Sequence, residues 1–128
     1  MIKNDKIIKH PCFNDDGELI NKFVKHFKYD MNENKNPLKY LYHIIGIGND
    51  SENPEKRYII YETMYPENTF TKSEENKIWV REYNEFFSKV DKNKYPNALQ
   101  EYRLEPISRS FLCEKQNEYR LIYDLEVK

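Results

Sequence analysis

Apolar residues recur along this chain with two different periods, separated by strongly polar stretches. "ELINKFVKHF", Glu18 to Phe27, places Leu19, Ile20, Phe23, Val24 and Phe27 at spacings of three and four, which predicts a short helix; its later half also fits the start of a strand. "LKYLYHIIGIG", Leu38 to Gly48, is rich in aromatic and β-branched residues and predicts a strand. "YIIYETMY", Tyr58 to Tyr65, predicts its return, so that with the polar connection Asn49 to Arg57 the two form a hairpin. In the returning strand Ile59, Tyr61, Thr63 and Tyr65 share one face, and Tyr58, Ile60, Glu62 and Met64 the other.

"KIWV", from Lys77, predicts a third strand, and "REYNEFFSKV" a helical turn or two with Phe86, Phe87 and Val90 on the core side; Val80 is expected to join them. "LQEYRLEPISRSFLC", Leu99 to Cys113, fits either a short strand or a short helix, with Pro106 opposing a helix through its centre. In "EYRLIYDLEV" Tyr119, Leu121, Tyr123, Leu125 and Val127 alternate, which predicts a final strand. Upstream, Ile2, Ile7 and Ile8 among charges suggest an edge strand or a loosely tied arm, and Asp16-Gly17 a tight turn. Asp30 to Pro37, Pro66 to Asn76 and Asp91 to Asn97 read as polar connections. Short strands with little helix and no βαβ rhythm predict a mainly β protein with minor α content, a small and strongly bent sheet or a barrel.

A length of 128 residues fits one domain with one core. Lys and Arg number 21 against 22 Asp and Glu, so no net field draws phosphate or anionic lipid, although a local basic patch can sit inside a neutral total. Eleven tyrosines and seven phenylalanines supply flat side chains that build a core from few residues or line a groove. Cys12 and Cys113 stand far apart without CxxC spacing, and are expected as free thiols. "MIKNDKIIKHPCF" holds no apolar run long enough for a signal peptide, and no stretch approaches the roughly 18 apolar residues of a membrane helix. The cytoplasm is the expected compartment, with no membrane association.

The motifs of common chemistry are missing. "GIG" at Gly46 to Gly48 lacks the third glycine and the following helix of a nucleotide fingerprint. His10, His26 and His43 have no ligand spacing, and Cys12 beside His10 lacks the geometry of a nucleophile with its base, so neither a metal nor a cofactor is expected.

Four segments in order, "KHFK" (Lys25 to Lys28), "YHIIGIGNDSEN" (Tyr42 to Asn53), "YIIYETMY" and "IWVREYNEFFSKV" (Ile78 to Val90), resemble the domain-of-unknown-function family 1653, small bacterial and phage-associated proteins. The resemblance covers Lys25 to Val90 and implies a compact β domain similar to an SH3-like barrel, with no established activity. Residues 1–24 and 91–128 are then extensions packing on that core. Three acidic residues depart from the family pattern: Asp50 where a histidine is usual, Glu62 in place of arginine, and Glu82 in place of proline. The first two exchange basic positions for acidic ones, which bears on any anionic ligand the family shares.

Trp79 and Arg81 lie on one strand face by period two, so an aromatic plane and a cation can line one groove. Tyr61 and Tyr65 add hydroxyls from the neighbouring strand, and His26 and Lys28 flank Phe27 as a basic edge. His26, Tyr61, Tyr65, Trp79 and Arg81 are therefore the expected binding residues of a module that takes a nucleotide or nucleic acid segment, without catalysis. The bland alternatives are a core tryptophan, core tyrosines, and an Arg81 ion pair with Glu82, Glu85 or Glu62. A rival reading is a protein interaction module, such as an inhibitor-like accessory protein, that uses an aromatic face or a free sheet edge. An enzyme on nucleotides or modified bases would require a carboxylate of raised pKa in the same groove.

Overall fold

A computed structural model of the chain describes residues 19–31, 36–66 and 76–127. The expected N-terminal arm, the Asp16-Gly17 turn and Cys12 lie outside the described residues. Five strands form one antiparallel sheet: β1 (Phe23–His26), β2 (Leu41–Asn49), β3 (Arg57–Pro66), β4 (Asn76–Glu82) and β5 (Leu104–Pro106). Two helices accompany them, α1 (Tyr83–Phe86) and α2 (Arg109–Val127). The strand order is β4-β3-β2-β1-β5, a meander to which β5 returns beside β1. Among the described residues the sheet is open, so the mainly β class takes the form of a bent sheet with two edges rather than a closed barrel.

The β2–β3 hairpin forms where the alternating aromatic and β-branched residues predicted it, with Tyr42 opposite Thr63 and Asn49 opposite Arg57. Its turn is organised by Asp50, whose Oδ1 accepts from the backbone N–H of Glu52 (2.8 Å) and Asn53 (3.2 Å). The start of the chain's described part does not form the expected helix. Val24 pairs with both Tyr42 of β2 and Pro106 of β5, and two-sided strand pairing overrides the local period of three and four. Asn21, at φ 70°, turns the chain into β1, a left-handed conformation that asparagine tolerates.

One face of the sheet carries Val24, Ile44, Ile59 and Tyr61, all buried, and is covered by Tyr83, Phe86 and Phe87 from the α1 segment. Glu82 starts that turn by accepting from the N–H of Glu85 at 2.9 Å, a capping role that needs a side-chain acceptor. Phe86, Phe87 and Val90 are buried as expected, but Val80 is 60% exposed. It belongs to an edge strand, opposite Ile60.

The other face packs Leu38 and Leu41 against Leu112 of α2, with Phe23, Met64 and Tyr119 around them. Here the alternation from Tyr119 to Val127 misled: the segment is helical. The helix is capped by Ser108, whose Oγ accepts from the N–H of Phe111 at 3.0 Å, and from Arg109 onward it has no glycine or proline to interrupt it. Tyr119 turns inward while Leu121 is 66% exposed, a division that one strand face could not produce.

Between α1 and β5 the chain folds back on itself. Val90 N–H donates to Glu101 O (2.8 Å), Arg103 N–H to Ser88 O (3.0 Å), and Phe27 N–H to Arg103 O (2.9 Å). Gln100, buried at 5% exposure, fastens this loop to β1 by donating from Nε2 to the carbonyls of Lys25 and Tyr102, each at 3.1 Å. The result sets Arg103 beside the end of β1.

Candidate ligand site

Cross-strand register decides which of the sequence candidates meet. Tyr61 stands opposite Trp79 and Ile59 opposite Arg81, and directly opposed residues of an antiparallel pair point to the same face. Tyr42, opposite both Thr63 and Val24, carries that face across to β1, where alternation from Val24 adds His26. His26, Tyr61, Trp79 and Arg81 therefore share one face. Tyr65 does not join them: a register shift between Glu62 and Pro66 breaks the period of two, and its ring packs 6.1 Å from Tyr119 of α2.

Tyr61 is core as well as candidate. It is 6% exposed, with its ring edge-on to Tyr42 (5.1 Å) and Phe86 (5.2 Å), and its hydroxyl receives Arg81 Nε at 3.5 Å. Arg81 Nη1 holds Glu85 Oε1 at 2.8 Å, one turn along the chain. Burial pulls the Arg81 pKa down, but the Tyr61 hydrogen bond and the Glu85 charge outweigh it and raise the pKa. Arg81 is thus a fixed cation, aimed by two partners. Trp79 sits at the rim, 40% exposed, with Lys77 Nζ 5.1 Å from its ring centre.

His26 is held more tightly than a surface histidine. Its ring stacks on Phe27 (4.5 Å) and lies 5.4 Å from Tyr40, and its Nδ1 accepts from the N–H of Lys28 at 3.0 Å. Tyr40, whose carbonyl accepts from His26 N–H at 2.9 Å, has φ 71°, a left-handed conformation that costs a bulky residue about 1–2 kcal/mol. Burial, then the charges of Arg103, Lys28 and Arg81, push the His26 pKa down to about 3. The ring is neutral at physiological pH, and because Nδ1 accepts, its proton resides on Nε2 as a donor. His26 thus enters the cluster as a hydrogen-bond donor in a positive field rather than as the expected cation.

Arg103 is the residue that sequence reading missed. Its guanidinium lies 5.5 Å from the Phe27 ring centre, and its Nε is buried without a hydrogen-bond partner among the described residues. The position fell in a segment whose element type was ambiguous, and nothing local tells that β5 returns to β1. Arg81, on edge strand β4, and Arg103, just before the opposite edge strand β5, both add positive charge to the surroundings of His26.

The three acidic departures stand apart from this cluster. Asp50 builds the β2–β3 turn, Glu82 caps α1, and Glu62, on the opposite face from Tyr61, places Oε2 2.9 Å from His43 Nδ1. Among the described residues no group of three His, Cys, Asp or Glu side chains could hold a metal ion, and no helix is long and apolar enough to cross a membrane. A broad depression of about 830 Å³ runs along α2 from Arg109 to Leu121, but every residue lining it comes from that one helix. It is an open helix side, not a cleft between elements.

No curated protein and no solved structure matches the chain. A family model does, over residues 22–106, from the approach to β1 through the last residue of β5. That span exceeds half of the 128 residues and takes in all five strands, α1, and His26, Tyr61, Trp79, Arg81 and Arg103: the chain belongs to the family described as Protein of unknown function (DUF1653).

Proposed function

We propose that this protein is a binding module for a ligand that joins an anionic group to a flat ring, a nucleotide or a segment of nucleic acid. The observation that carries the reading is Arg103, set beside the end of β1 with a buried Nε that has no hydrogen-bond partner among the described residues, while Trp79 and Arg81 lie on the face that His26 shares. Burial, with the charges of Arg103, Lys28 and Arg81, keeps His26 neutral, and the cations beside it make a positive site that an anion relieves. Arg103 Nε, buried and without a hydrogen-bond partner among the described residues, is a donor already stripped of water, so a phosphate oxygen meeting it regains a hydrogen bond at little further desolvation. Trp79 on the same face, at the rim, offers a plane on which a base can stack, worth about 1–3 kcal/mol.

Glu85 sets the selectivity of the arrangement. It already occupies Arg81 Nη1, so an incoming anion competes with a carboxylate, and weakly charged ligands fail. The direct test is a thermal-shift titration against nucleotides, cyclic dinucleotides and short oligonucleotides. Ligand at 100 times its dissociation constant stabilises by about 2.7 kcal/mol, a readily visible shift for one small domain. Binding that weakens in Arg103→Met and tightens in Glu85→Gln supports the reading. A flat response across the panel, or binding indifferent to both substitutions, removes it.

A further inference from the structure

Edge strand β4 reads Lys77-Ile78-Trp79-Val80-Arg81, and its residue classes are symmetric about Trp79: cation, aliphatic, aromatic, aliphatic, cation. Ile78 is 50% exposed, Val80 60% and Trp79 40%, so one short strand places three large apolar side chains in water. Among the described residues β4 pairs on one side alone, with β3. The backbone N–H of Lys77 is directed inward, to Thr63 Oγ1 at 3.0 Å. Strand alternation then turns the N–H and C=O of Ile78 and Val80 outward, along the free edge. An exposed apolar edge of this kind is a template for another strand.

We infer that β4 is the contact by which two copies of this chain associate, paired antiparallel about a two-fold axis at Trp79. In this register Ile78 of each copy lies opposite Val80 of the other in a hydrogen-bonded pair on one face. The two Trp79 rings meet on the opposite face, in the closer non-hydrogen-bonded pair. Lys77 falls opposite Arg81, an apparent conflict of like charges. Arg81, however, already holds Glu85 Oε1 at 2.8 Å, so its charge is partly offset and a residual repulsion remains that weakens the pair without forbidding it. Neighbouring registers are poorer: centring the axis on Val80 sets Ile78 against Glu82, the carboxylate that caps α1. A single strand pair is a small interface, so the association is weak and rises with concentration.

Trp79 and Arg81 take part in both this contact and the ligand reading, so the two are told apart at Ile78 and Val80, which point away from the face that carries Tyr61 and His26. Sedimentation equilibrium of the whole chain over a concentration series is the test, with emission from Trp79, the chain's one tryptophan, recorded in parallel. The apparent mass is expected to climb from 15.7 kDa toward twice that value while Trp79 emission shifts to the blue. Val80→Lys and Ile78→Lys stay monomeric at the same concentrations with melting temperatures unchanged. Lys77→Glu, which sets opposite charges across the pair twice, tightens association by several-fold to about tenfold. Added salt strengthens the wild-type dimer. A wild type that is monomeric at millimolar concentration overturns the inference, as does association that survives Val80→Lys or is weakened by Lys77→Glu.

Discussion

Glu62 stands directly across the β2–β3 pair from His43, its Oε2 2.9 Å from Nδ1, while His43 Nε2 lies 3.2 Å from Asn21 Oδ1. The Glu62 carboxylate thus has a partner on its own sheet face. Both side chains are about a quarter exposed, which keeps the interaction modest. A double-mutant cycle with His43→Ala and Glu62→Ala is expected to return a coupling of about 0.5–1 kcal/mol in chemical denaturation. Glu62→Arg alone lowers stability while leaving ligand affinity untouched, because Tyr61 and Arg81 occupy the other face. An affinity change as large as that from Arg81→Met would mean that the two faces are not independent.

The C-terminal segment offers a test of helix against strand. Ser108 caps α2 and Leu112 is buried at 3% exposure between Leu38 and Leu41. Ser108→Ala is expected to cost about 1 kcal/mol, and Leu112→Ala about 2–5 kcal/mol through lost burial and the cavity left behind. Helical circular dichroism should fall with the first substitution in proportion to fraying of α2. No effect of Ser108→Ala on either signal would contradict the capped helix.

His26 makes stability depend on pH in a defined direction. Its pKa in the folded protein, about 3, lies below the ordinary 6.5. Between those values the unfolded chain takes up a proton that the folded chain refuses, so stability rises with pH across the window. The contribution is complete above about pH 6.5 and is lost as the pH falls toward 3. His26→Asn keeps an acceptor for the Lys28 N–H and removes the titration. The stability advantage of wild type over this variant should therefore shrink steadily as the pH is lowered through the window. An advantage that grows instead would show that His26 is charged in the folded state. A bound anion should also raise the His26 pKa, which a proton NMR titration with and without ligand reads directly.

Arg103 separates binding from stability. A buried Nε that makes no hydrogen bond to the described residues contributes little to folding, and the guanidinium over Phe27 adds about 0.5–1 kcal/mol. Arg103→Met should change stability by about 1 kcal/mol or less, yet reduce affinity for an anionic ligand by tenfold or more, the value of one charge-assisted hydrogen bond. Equal losses in both would mark Arg103 as a structural residue.

How much of this could be read from the residues alone varies with the range of the interaction. The β2–β3 hairpin and the helical turn around Phe86 were legible because alternation and apolar spacing act over a few residues: Ile59 and Tyr61 face inward as their spacing requires, and Phe86 and Phe87 close the core. β1 was half legible, since the period at Leu19 to Phe27 suggested a helix and only pairing to β2 and β5, remote in sequence, settles it as a strand. Alternation failed outright at Tyr119 to Val127, where helix formers and the Ser108 cap outweigh five regularly spaced apolar residues. The candidate site shows the same division. Trp79, Arg81 and Tyr61 follow from period two and adjacent strands. Tyr65 was lost to a register shift that spacing cannot show, and Arg103 needed the return of β5.

That return has a consequence beyond the sheet. Val24 pairs with Pro106, and Ile107 N–H donates to Phe23 O at 3.0 Å, so the two ends of the family segment emerge side by side, at the opposite edge from β4. Chain arriving before β1 and chain leaving after β5 share a single doorway. Adjoining ends let the segments before β1 and after β5 reach the core together without parting a strand. Residues 22–106 therefore begin and end at one edge of the sheet, and α2, which follows that edge, is placed to cover Leu38 and Leu41.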